Sequence, residues 1–108
     1  MRAEKFDADQ IRQGMAQLHG WKLDPVQPII EKTCTFESFP TAMAFFAQAG
    51  ALADRLDHHP EFVSTYTRMR VRLWTHDVNG LTHLDFELAN AIDHLLSTEF
   101  SHRFKPTE

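Results

Sequence analysis

The chain has 108 residues, 43% hydrophobic and 24% charged, a composition typical of one globular domain spanning residues 1–108. The formal net charge of −4 argues against nucleic acid as the main partner, because phosphate binding needs a basic surface. The single cysteine, Cys34, excludes an intrachain disulfide. The sequence shows neither a secretory signal nor a membrane-spanning apolar run. We therefore expect a cytoplasmic protein that does not engage a membrane.

The first third of the chain predicts a helix and two strands. Asp7 and Gln10 have the spacing of a capping box, apolar residues then recur at helical spacing, and Gly20 ends the pattern. The strands that follow are weakened by prolines and by Lys32, which falls among apolar residues of one face. The predicted elements are a helix at about 8–19 and strands at 21–26 and 29–36.

A second helix is predicted from the Ser38 region to a histidine pair. Its apolar stripe is broad, and Gly50 within it is interpreted as a point of close packing. The helix should end at His58-His59, because a residue that precedes proline disfavours the α region.

The remaining chain predicts two strands and a third helix. Residues 62–75 are rich in β-branched and aromatic side chains, with a turn placed near Thr67-Arg68. After this turn Met69, Val71, Leu73 and Thr75 should point one way, and Arg70, Arg72, Trp74 and His76 the other. The later elements are a turn at Asn79-Gly80, a capping box at Thr82 and Asp85, a helix over 83–98, and a polar, frayed tail after Phe100.

This order predicts an α+β fold, because short connections favour antiparallel hairpins and each helix has one apolar stripe. We expect a four-stranded antiparallel sheet with three helices packed on one face, in the order α-β-β-α-β-β-α.

Three histidines, His58, His59 and His76, fall at the ends of predicted elements. Imidazole titrates near neutral pH, so three such groups suggest a proton-transfer site. As an alternative, His58 and His59 complement the negative end of the helix dipole. Three histidines can also bind zinc, although adjacent ones share a metal awkwardly. The other histidines, His19, His83, His94 and His102, are expected at the surface.

Two carboxylates accompany these histidines. Asp54 lies one helical turn before His58 and can reach it, or is a solvated helix charge. Asp85 is explained equally well as a helix cap or as a group that supports a histidine. Arg70, Arg72 and Trp74 form a basic, aromatic face, which the net charge argues is solvated rather than bound to nucleic acid.

These residues resemble the pterin-4a-carbinolamine dehydratase family, whose pattern is a charged residue four places before His-His-Pro, an aromatic, a histidine and an aspartate. The corresponding residues are Asp54, His58, His59, Pro60, Tyr66, His76 and Asp85. Gly20-Trp21 and the Gly-Leu-Thr at 80–82 are also similar to the family. Phe62 and Trp74 depart from it, and Trp74 is placed to reshape the pterin pocket.

The resemblance implies a cofactor-free dehydratase without a metal. It converts 4a-hydroxytetrahydrobiopterin to quinonoid dihydrobiopterin and water, in tetrahydrobiopterin recycling. The implied catalytic residues are His58, His59 and His76, and the implied substrate-binding or supporting residues are Asp54, Pro60, Trp74 and Asp85. It also implies a homodimer or homotetramer and a functional link to an aromatic amino acid hydroxylase. The alternative function is a protein-interaction module, either a dimerisation cofactor or a hydroxylase regulator.

Overall fold

The computed structural model describes residues 3–107, so the first two residues and the last residue of the predicted domain lie outside it. Within these residues three α-helices accompany one antiparallel sheet, which confirms the predicted α+β class. None of the helices described is long and apolar enough to cross a bilayer. The elements are α1 Ala8–Ala16, β1 Lys22–Leu23, β2 Ile30–Phe36, α2 Phe39–Leu56, β3 Glu61–Thr65, β4 Arg68–Leu73, a 3-10 helix His76–Val78, α3 His83–Glu99 and β5 Phe104–Pro106.

The two longest strands, β2 and β4, form the centre of the sheet. They pair from Ile30 opposite Leu73 to Thr35 opposite Arg68. On its other side β2 pairs with β1 near its start and with β5 at its end. β3 pairs with β4 and forms an edge of the sheet within the described residues.

One face of the sheet is covered by helices and the other is open. α2 packs against β2 and β4, and α3 packs against α2. The predicted inward and outward sets of β4 are confirmed, because Met69, Val71, Leu73 and Thr75 are the buried ones. On the open face Nε of Arg70 lies 3.7 Å from Oε2 of Glu31, and Nη1 of Arg72 lies 2.9 Å from Oε1 of Glu61.

Lys32 interrupts the apolar face of β2 because it is paired inside the protein. Its Nζ donates to the carbonyl of His19 at 2.7 Å and to Oδ1 of Asp93 at 2.8 Å. Trp21 Nε1 donates to the same carboxylate at 2.8 Å. A buried lysine is tolerated only with such partners, so this cluster joins β2 to α3.

Two elements near the N-terminus are shorter than predicted. α1 ends at Ala16 rather than near residue 19. β1 contains only two residues because the chain folds around Asp24, whose Oδ1 accepts from the backbone N–H groups of Val26 and Gln27, both at 2.8 Å. A side chain that satisfies two backbone donors in this way stabilises a turn instead of a strand.

The expectation of a frayed tail after Phe100 is wrong. Residues 104–106 form β5 and pair with Cys34–Phe36 of β2. The ring of Phe104 lies 6.0 Å from that of Phe36, at the margin of the core. Three residues with one apolar side chain carry too little periodicity to predict a strand, and the partner strand supplies the hydrogen bonds.

Two smaller expectations also need correction. The hairpin between β3 and β4 turns at Tyr66-Thr67, one residue earlier than predicted, with Tyr66 at a φ of 55°. Gly50 is not a point of close packing, because a Cβ built there would meet no heavy atom within 4 Å apart from the nearby backbone of its own helix.

Candidate functional site

The end of α2 turns His58 inwards and leaves His59 at the surface. The helix ends before the histidine pair, earlier than predicted, because Asp57 adopts the left-handed conformation with a φ of 50°. The N–H of Asp57 donates to the carbonyl of Asp54 at 3.1 Å, and that of His58 donates to the carbonyl of Ala53 at 3.0 Å. These two bonds form a Schellman turn. The side chain of His58 is therefore 9% exposed, whereas that of His59 is 62% exposed.

The end of β4 supplies the third histidine. Thr75 and Gly80 form an isolated bridge that closes the predicted turn at Asn79-Gly80, and His76 opens the 3-10 helix inside it. The indole Nε1 of Trp74 lies 3.3 Å from Nδ1 of His76, and the two ring centroids are 4.7 Å apart. An indole N–H only donates, so Nδ1 of His76 is the acceptor.

These two chain segments meet at a pocket of about 230 Å³. It is lined by Asp57, His58, His59, Trp74, Thr75, His76, Asp77 and Leu84. The structure therefore brings together the three predicted histidines and Trp74. A larger groove of about 580 Å³ lies between the N-terminal segment and the start of α3, and it shares Leu84 with the histidine pocket.

Asp85 lies directly behind His58 and is completely buried. One carboxylate oxygen, Oδ1, is 2.6 Å from Nε2 of His58. The other, Oδ2, accepts from the hydroxyl of Thr75 at 2.8 Å and from the backbone N–H of Thr82 at 3.0 Å. The predicted capping box is confirmed, and the histidine contact is made by the other oxygen. The two interpretations of Asp85 therefore do not compete for the same atom.

A pair of threonine hydroxyls supports this carboxylate. The Oγ1 atoms of Thr75 and Thr82 are 2.8 Å apart, and both side chains are buried. Thr82 Oγ1 also accepts from the backbone N–H of Leu84 at 3.2 Å. A capping residue of α3 is thus connected through Thr75 and Asp85 to His58.

The expected contact between Asp54 and His58 is wrong. Asp54 Oδ1 lies 3.4 Å from Nε2 of His59 instead, and both of these side chains are mostly exposed. The Schellman turn carries His58 away from the helix face of Asp54, and the contact with its Nε2 is made by Asp85. An exposed pair of this length contributes little stability.

Pro60 does not line the pocket; it follows His59 and precedes β3. The remaining histidines are exposed, as predicted: His19, His83, His94 and His102.

The sequence did not predict four of the pocket residues, which are Asp57, Thr75, Asp77 and Leu84. Thr75 had one signal, since its position beside His76 places it at the end of an inward-facing strand pattern.

Among residues 3–107, no group of three or more His, Cys, Asp or Glu side chains is arranged to hold a metal ion. The three pocket histidines do not form such a group. Within this part of the chain, the donor geometry offers no ready zinc site.

Comparisons with known proteins place the chain in a family. The model for pterin 4 alpha carbinolamine dehydratase matches residues 4–95. A protein of Rhizobium johnstonii named "Putative pterin-4-alpha-carbinolamine dehydratase" is 40% identical over 93 residues, covering 86% of this chain and 92% of the relative. A protein of Sinorhizobium medicae with the same name is 43% identical over 93 residues, covering 86% and 89%.

Solved structures agree with the fold. A transcriptional coactivator/pterin dehydratase from Brucella melitensis superposes with a TM-score of 0.82 at 34% identity, covering 85% of this chain and 98% of that one. A pterin dehydratase-like RuBisCO assembly factor of the alpha-carboxysome has a TM-score of 0.61 at 22% identity, which supports the fold alone. The histidine pocket contains the motif histidines that resemble this family. The matched family model and the Rhizobium and Sinorhizobium relatives show that the chain belongs to the pterin 4 alpha carbinolamine dehydratase family.

Proposed function

We propose that this protein dehydrates 4a-hydroxytetrahydrobiopterin to quinonoid dihydrobiopterin and water. The observation that carries the proposal is the meeting of three histidines from two distant segments in one pocket, with His58 against a buried carboxylate. Family membership supports the same reaction.

The reaction needs proton transfers and no change of oxidation state. A general acid delivers a proton to the 4a oxygen, the carbon–oxygen bond breaks with its electron pair leaving as water, and a base removes a proton from a ring nitrogen. Imidazole groups serve both steps near neutral pH. We therefore propose that the reaction proceeds without metal or dinucleotide cofactor. An aromatic amino acid hydroxylase is the proposed source of the substrate.

The three histidines sit in different environments, which favours different roles. His58 is the proposed base, because the buried carboxylate of Asp85 stabilises the imidazolium that proton uptake creates. His59 is exposed at the pocket rim with Asp54 as an acceptor, and it is the proposed acid. His76, held by Trp74, is proposed to position the substrate by hydrogen bonding.

A dehydratase assay on synthetic 4a-hydroxytetrahydrobiopterin tests the proposal. Wild type should be active, and His58→Ala, His59→Ala and His76→Ala should each lose activity, by roughly 10²–10⁴-fold for a group that transfers a proton. His94→Ala is the matched control, because His94 is exposed on α3 and outside the pocket. Activity lost on chelation and restored by zinc would contradict the metal-free part, and an inactive wild type would contradict the whole.

A second candidate function is an interaction module, favoured by an apolar surface beside the sheet edge. We call this surface the edge patch; it comprises Phe39, Phe46, Phe62 and Tyr66. Phe39 stacks on Tyr66 at 6.3 Å between centroids, and Phe46 packs edge-on against Phe62 at 4.9 Å. Phe39, Phe46 and Tyr66 are exposed, and β3 is an edge strand. We propose a second copy of this chain as its occupant, giving a homodimer or homotetramer.

A further inference from the structure

The buried hydrogen bonds behind His58 have a definite direction. Thr82 Oγ1 accepts from the backbone N–H of Leu84, so its own proton is free to be donated to Thr75 Oγ1 at 2.8 Å. Each hydroxyl has one proton. The proton of Thr75 is then donated to Asp85 Oδ2, also at 2.8 Å. The opposite direction would leave Thr75 Oγ1 and Asp85 Oδ2 in contact without a proton between them.

The contacts of Asp85 determine which nitrogen of His58 carries a proton. Asp85 Oδ2 already accepts from the Thr75 hydroxyl and the Thr82 N–H, and both donors favour the ionised carboxylate. Imidazole is more basic than a carboxylate, so the proton between Asp85 Oδ1 and His58 Nε2 belongs to Nε2. The neutral ring therefore has its lone pair on Nδ1.

Because Nε2 of His58 contacts Asp85, Nδ1 is the ring nitrogen that remains for the pocket. Among the described residues Nδ1 has no hydrogen-bond partner. It is not a buried atom, because Nε of Arg72 is the single buried side-chain nitrogen or oxygen without a partner in that part of the chain. Nδ1 is therefore reached by solvent, and His58 lines the pocket. A base requires an accessible lone pair on a ring that is held in place, and here the Asp85 carboxylate holds the opposite nitrogen, Nε2.

We propose that Thr75 and Thr82 are positioning residues, which hold the Asp85 carboxylate so that His58 presents an unprotonated Nδ1 to the substrate. The proposal deepens the proposed dehydratase function and rests on it for its catalytic meaning. The tautomer of His58 can be measured without substrate, so the two can fail separately.

The experiment is nitrogen-15 NMR of labelled wild-type protein, recorded at alkaline pH so that the neutral form of the ring is observed. The His58 signals are assigned by their absence in His58→Gln. We expect the pattern of a ring protonated on Nε2. A ring protonated on Nδ1 would overturn the proposal even if the protein were an active dehydratase. A ring protonated on Nε2 in an inactive protein would overturn only the proposed function.

Variants test the threonines. Thr75→Val keeps the shape and removes the hydroxyl, so we expect turnover to fall roughly tenfold with KM little changed, and the His58 signals to shift. Thr75→Ser restores the hydroxyl and should recover most of both. Thr98→Val is the matched control, because Thr98 is an exposed threonine of α3 whose hydroxyl bonds to the carbonyl of His94. Unchanged His58 signals and turnover in a folded Thr75→Val would overturn the positioning role.

If Thr75→Val fails to fold, Thr82→Ser and Thr82→Val supply the same comparison one step further along the chain of hydrogen bonds. Thr82→Val keeps the backbone N–H that donates to Asp85 and loses the hydroxyl that donates to Thr75. In Thr82→Val we expect the His58 signals to shift as in Thr75→Val, but by a smaller amount. Identical signals in both Thr82 variants and wild type would then contradict the proposal.

Discussion

Asp85 is the residue in which local and tertiary demands meet, since one oxygen caps α3 and the other contacts His58. Asp85→Asn should keep the cap, because the amide oxygen still accepts from Thr82 and Thr75. Its NH₂ group would then face Nε2 of His58 and require the opposite tautomer. We expect turnover to fall at least about 100-fold, with a melting temperature close to that of wild type. Turnover within threefold of wild type would contradict this expectation.

Asp85→Ala should differ from Asp85→Asn in stability. It leaves the Thr82 N–H and the Thr75 hydroxyl without their acceptor in a site closed to water. We expect the free energy of unfolding to fall by about 3 kcal/mol. Urea denaturation of both variants measures the difference, and equal stabilities would show that the buried donors find other partners.

Cys34 gives a residue-scale prediction about pH. Burial raises the pKa of its thiol from 9.0 to about 11. Between these values the unfolded thiol ionises while the folded one stays neutral, so its stabilising contribution is complete below pH 9 and is lost as the pH rises. We expect wild type to lose roughly 2 kcal/mol more than Cys34→Ala over this window, by urea denaturation. Parallel losses in the two proteins would contradict the assignment.

At the scale of elements, two helical glycines should respond oppositely to alanine. A Cβ on Gly14 would lie 2.6 Å from ring atoms of Phe86, where α1 packs on α3. Gly14→Ala should therefore destabilise the protein, by roughly 1–3 kcal/mol. Gly50→Ala, with open space around the new Cβ, should stabilise it by about 0.5–1 kcal/mol through higher helix propensity. Thermal unfolding of both variants is the measurement, and a shift of the same sign in both would contradict the packing argument.

At the scale of the whole molecule, the edge patch predicts self-association. An unpaired edge strand beside exposed aromatic side chains is a common site of pairing between chains. We expect light scattering to give the mass of a dimer or tetramer for wild type and a lower mass for Phe46→Lys. Val26→Lys is the control, because Val26 is exposed in the loop between β1 and β2. A monomer mass for wild type across a wide concentration range would contradict the prediction. The single-domain organisation stays a prediction as well.

The sequence by itself determined the elements that local forces control. Both capping boxes, at Asp7 and Thr82, were predictable because a cap is formed by residues three positions apart. The alternation along β4 was predictable because a buried face requires apolar residues at every second position. The histidine motif predicted the family, and the family model and curated relatives confirm it.

Tertiary structure decided the contacts between distant segments. The partner of His58 is Asp85, which lies 27 residues away, and not Asp54 one turn earlier, because a left-handed Asp57 redirects the chain. Lys32 is buried because Asp93 lies across from it, which no local pattern reveals. β5 exists because β2 has an open edge where the chain returns after α3. In each case the deciding group is far away in the sequence, and only folding brings it within hydrogen-bonding distance.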